Sequence, residues 1–166
     1  MYWWNVKALA NELKAKKVPQ LEKFKYFFAT SIVAALLFEF VYLVPLLQEV
    51  TTLDVAGSLA YIILVALGII VCYKANKGGD NKEFIDRFIC LSWPIGIRIF
   101  VIIIVTLVLY FIVGYSIAGD AFDTFVEKTT IIDILVFEVG FTIAFYLWVR
   151  KYLLYVSGTA KSKKKA

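Results

Sequence analysis

Four apolar runs, at residues 26–47, 55–73, 91–113 and 130–149, set what this chain can become. Each is close to the roughly 20 helical residues that cross a bilayer. In lipid every backbone N–H and C=O must find a partner within the protein, which leaves helices or a closed barrel. Barrel strands alternate polar and apolar side chains. A stretch such as "FVIIIV" at 100–105 does not alternate. The chain is also 61% apolar and 19% charged, outside the range of soluble domains. The expected fold class is therefore an all-α integral membrane protein with four transmembrane helices.

Charge gives the expected orientation. Of the 18 Lys and Arg, 16 fall on one side of the four runs. They lie in residues 1–25, in the 74–87 loop and in the tail from Arg150. Lys128 alone lies on the other side, and Arg98 lies within a run. Loops rich in Lys and Arg stay in the cytoplasm, so both termini are expected inside. The acidic residues Glu49, Asp54, Asp120, Asp123 and Glu127 take the outer side. Residues 1–25 hold six Lys and no signal-type apolar core, so the first run reads as an uncleaved insertion signal.

Three parts follow: a basic amphipathic segment at 1–25, a four-helix bundle at 26–149, and a basic tail at 150–166. In "WWNVKALANELKAKK" the residues Trp3, Val6, Ala10 and Leu13 recur at helical spacing, which predicts a short interfacial helix ended by Pro19. A second amphipathic stretch is expected before the third run. Asp80 reads as its N-cap, Phe84, Ile85, Phe88 and Ile89 as its apolar stripe, and Pro94 as a bend near Trp93. Asp120 reads as the cap of a turn in the outer loop, and "SGTAKSKKKA" as a disordered basic end.

Four ionisable residues lie inside the runs: Glu39, Arg98, Asp133 and Glu138. Such residues face a bundle interior or water and have partners, or they serve function. Asp133 is near the outer end of its run. Glu39 and Glu138 lie about 20 and 16 Å from the inner side at 1.5 Å per residue, near mid-membrane. Arg98 is about 8 Å beyond Trp93. It can snorkel to the inner headgroups, gate or recognise an ion, or pair with Glu138. Pairing with Glu138 is the expectation.

Small residues mark candidate packing faces, because helices in lipid approach closely only where side chains are short. These are Ser31 and Ala35 in the first run, Gly57, Ala60 and Gly68 in the second, and Gly140 and Ala144 in the fourth. Two used faces on the last helix point to contacts within and between subunits, and so to a homo-oligomer.

The chain has no His, no redox-spaced Cys pair, no phosphate loop and no serine nucleophile with a recognisable base, so no enzyme is expected. Cys72 and Cys90 lack metal-ligand spacing, and no metal or cofactor is expected. The expected function is a non-enzymatic oligomer of the bacterial inner membrane. It would be a sensor, anchor or pore-forming effector of a stress or phage-defence type. Its basic face would meet anionic lipids and an acidic cytosolic protein or nucleic acid. The alternative is a small proton- or cation-coupled transporter. Four spans with Glu39 in the first resemble the small multidrug exporters, which implies that Glu39 would exchange protons with cations.

Overall fold

The computed structural model describes residues 1–43, 52–118 and 131–158, with 37–43, 53, 54, 118 and 131–136 described by their backbone alone. Five helices make up its regular structure, and there is no strand among the described residues. They are α1 (Val6–Lys14), α2 (Gln20–Leu43), α3 (Thr52–Lys77), α4 (Phe84–Ala118) and α5 (Ile131–Val156). Among the described residues α3, α4 and α5 each contain a stretch long and apolar enough to cross a membrane: Val55–Lys77, Phe84–Ile117 and Phe137–Val156.

α1 is the predicted amphipathic helix. The Asn5 side chain caps it by accepting from the Ala8 amide at 3.0 Å. Its end is a left-handed turn at Lys16, φ 55°. There the Lys17 amide reaches back to the Glu12 carbonyl and the Lys16 amide to that of Leu13. Pro19 does not end this helix. Its carbonyl instead accepts from Glu22 and Lys23, opening α2. Val6, Leu9, Ala10 and Leu13 are buried, whereas Trp3 is exposed. The buried stripe faces α4 and α5, so α1 closes one end of the bundle with its apolar side turned inward.

α4 corrects two expectations. There is no separate short helix before the third run, because one helix runs from Phe84 through Pro94 to Ala118. At 35 residues it is about 52 Å long, against roughly 30 Å of hydrocarbon. The amphipathic stretch is its first turns. Pro94 removes one backbone donor, yet its ring is fully buried and packing holds the helix through it. Asp80 is not the cap either, since α4 starts after Glu83 and the Asp80 carboxylate turns to Arg87.

α3 packs most extensively on α5, α5 also on α4, and α4 on α2. Burial is uneven along these rods. Only 11% of the most apolar stretch of α3 and of α4, and 17% of that of α5, is buried. The packed core lies at the end where α1 sits: Tyr26, Cys72, Cys90, Leu91, Ile95, Val149, Leu153 and Val156 join the buried face of α1. Ile62, Ile104, Leu109 and Ile112 are exposed farther along, a surface suited to lipid tails.

Candidate functional site at the basic end of the bundle

Several charged side chains of the 74–87 loop and of the helices at this end form paired contacts. Arg87, on the second turn of α4, is 1% exposed. Its two terminal nitrogens donate to both Asp80 oxygens at 2.6 and 2.7 Å, and one of them also donates to Asn76 at 3.1 Å. This fork geometry suits a guanidinium and a carboxylate. The Asp80 carboxyl is held below its ordinary value, chiefly by that hydrogen bond. The knot also reaches the end of α5, because the Asp80 amide donates to the Ser157 carbonyl at 3.1 Å.

On the α2 side, Lys23 donates to Asp86 at 2.8 Å and lies 3.8 Å from Glu83. The bond to Asp86 raises the Lys23 amine above its ordinary value. The Met1 amine pairs with Glu22. The Tyr2 hydroxyl donates to Glu12 at 2.5 Å, which raises its own pKa. Lys14 donates to the Tyr155 carbonyl at 3.0 Å and lies over the Tyr155 ring. The Tyr155 hydroxyl donates to Asn11 at 2.6 Å. α1 is thus tied to α5 by polar bonds at the edge of its apolar seam.

Arg98 does not pair with Glu138. Its Nε and one terminal nitrogen both donate to the Trp4 carbonyl, at 3.1 and 2.5 Å. The guanidinium carbon lies 5.1 Å from the Trp4 ring centre and 5.6 Å from that of Trp148. Among the described residues no carboxylate bridges it. Placing an Arg within a membrane helix costs about 3 kcal/mol on insertion scales. A charge-assisted hydrogen bond contributes about 1.5–3 kcal/mol, and each partly desolvated cation–π contact about 1 kcal/mol more. The chain's own N-terminal segment therefore offsets the cost that the sequence assigned to an ion pair. α4 presents Arg98 toward that segment.

Glu138 is exposed on α5. The side chains of Glu39 and Asp133 lie outside the described residues. Of the small residues, Gly68 abuts the Tyr146 ring, whereas Gly140 has nothing within 4 Å of a Cβ built on it. Ser31, Ala35, Ala60 and Ala144 are exposed and Gly57 is half-buried within the single chain. The loop readings at Asp120 and in the 159–166 tail also lie outside the described residues. Asn76, Arg87, Trp4 and Trp148 were not picked out from the sequence. The usable signal was the basic residue Arg87 inside an apolar stripe, seven positions after Asp80.

Between α3, α4 and α5 an open groove of about 230 Å³ is lined by Tyr61, Val65, Ile99, Phe141, Thr142 and Tyr146, among others. Among the described residues no three His, Cys, Asp or Glu side chains converge as a metal set. The arrangement holds the helices together through charge. The fold and composition fit a helical membrane protein. Comparison with protein families, with curated proteins and with solved structures found no match.

Proposed function

We propose that this chain is a four-span inner-membrane protein with both termini in the cytoplasm. It acts without catalysis, as an oligomeric anchor or sensor that presents its basic end to an acidic cytosolic partner. One observation carries the reading: packing and ion pairing are concentrated at the basic end, while the apolar spans stay open along their sides. A rigid, charged cap on a loosely packed stem suits docking and assembly better than chemistry. Open apolar flanks also suit a second copy, and a pore-forming effector would belong to the same class once several copies assemble. Native mass in mild detergent, followed by ion flux in liposomes, tests it. The expected result is a mass of several chains. A monomer or dimer that exchanges protons for a small cation overturns it.

The second reading, a coupled transporter, draws on Glu138, an exposed carboxylate in an apolar helix, together with Glu39. That reading expects Glu39→Gln to abolish pH-dependent flux while the fold is kept. Unchanged flux removes it.

A further inference from the structure

We propose that Arg98 and the tryptophans around it bind the phosphate of an anionic phospholipid from the cytoplasmic leaflet. This rests on the orientation proposed above only for the choice of leaflet. The first observation is an imbalance of charge. At this end Glu12 is engaged by Tyr2, Glu22 by the Met1 amine, Asp86 by Lys23 and Asp80 by Arg87. Arg98 has a backbone carbonyl instead, which is a dipole and not a counter-ion.

Geometry supplies the second. Both bonds to Trp4 use Nε and Nη2, so among the described residues the Nη1 edge has no partner. The Trp4 and Trp148 rings flank the guanidinium. Trp3 and Trp4 are 59% and 52% exposed, so the cluster opens to its surroundings. Trp3 meets Trp93 edge-on at 5.6 Å, which joins a third indole ring to the cluster. The free edge of a guanidinium matches the oxygens of a phosphodiester. Tryptophan belongs at headgroup level, and basic sites between membrane helices on the cytoplasmic side take anionic headgroups.

All four tryptophans of the chain lie in this cluster, so intrinsic fluorescence reads the site directly. The test titrates the full chain in mild-detergent micelles with phosphatidylglycerol or phosphatidylcholine, each brominated on its acyl chains. Saturable quenching by phosphatidylglycerol is expected at about a tenth of the phosphatidylcholine concentration or less, the effect of one charge-assisted contact. Arg98→Gln is expected to remove that preference, and millimolar inorganic phosphate is expected not to compete. Equal quenching by the two lipids, an unchanged preference in Arg98→Gln, or full competition by free phosphate overturns the proposal. The wild-type comparison decides alone if the variant fails to fold. Micelles have no leaflets, so an inverted orientation leaves this result standing and is detected separately by labelling in cells.

Discussion

Gly68 of α3 lies directly against the face of the Tyr146 ring of α5, so close that a Cβ built on Gly68 would overlap the ring carbons. The same seam holds Cys72, whose thiol donates to the Tyr146 carbonyl at 3.6 Å. The ring atoms concerned sit near the tyrosine backbone and have little room to swing aside. Gly68→Ala should therefore destabilise the α3–α5 packing by about 1–3 kcal/mol, the usual size of an overpacking penalty. Gly140→Ala, built into open space, should be close to neutral. Thermal unfolding in detergent compares the two, and equal effects would remove the close approach from the explanation.

The Arg87–Asp80 knot should give an acid-sensitive stability. The folded Asp80 carboxyl is depressed below its ordinary value of 3.8, so its contribution is full above that pH and is lost as pH falls through the lower folded value. Asp80→Asn should be less stable than wild type at neutral pH, by about 2 kcal/mol, because a buried guanidinium loses its counter-ion to a partly exposed partner. The difference should shrink as pH is lowered below 4. Lys23 gives the alkaline counterpart. Its amine is raised above 10.5, so its contribution is full below that pH and is lost above it. Melting curves from pH 2 to 12 check both arms, and a pH-independent Asp80→Asn difference would contradict the assignment.

Arg98 and Glu138 should be energetically independent. A double-mutant cycle with Arg98→Gln and Glu138→Gln should give a coupling within about 0.5 kcal/mol of zero, as for separate sites. Arg98→Gln and Trp148→Leu should couple by about 1 kcal/mol through the lost cation–π contact. A large coupling to Glu138 would mean that the guanidinium turns away from Trp4.

Reporters fused at residues 1, 78 and 166 should read cytoplasmic, and those at residues 52 and 122 external. The motive is the distribution of Lys and Arg. Labelling of any of the first three positions from outside intact cells would invert the orientation.

Helix content and the apolar stretches of α3, α4 and α5 were legible in the sequence because run length and hydropathy are local properties. The stripe Val6, Ala10, Leu13 was equally plain, and only Trp3 left it. The separate helix before the third run was not there to find: the hydrogen bond lost at Pro94 is a local cost, whereas the packing that carries α4 through it comes from distant segments. Asp80 looked like a cap for the same reason: its partner Arg87 becomes visible only when the turn at Asn81 and Glu83, both at positive φ, folds the loop back. Arg98 could not be solved locally. Its acceptor is the Trp4 carbonyl, 94 residues away, and backbone carbonyls leave no mark in a pattern of side-chain types.

The seating of α1 against α4 and α5 also dictates an order of events during synthesis. Asn11 waits for Tyr155, 144 residues later. At the roughly 5–20 residues per second of translation, that is an interval of about 7–30 s. Until α4 and then α5 are made, Val6, Leu9, Ala10 and Leu13 lack part of the surface that covers them. The first-made helix therefore stays incompletely covered while the rest of the chain is synthesised, and it becomes the keystone only when α5 arrives.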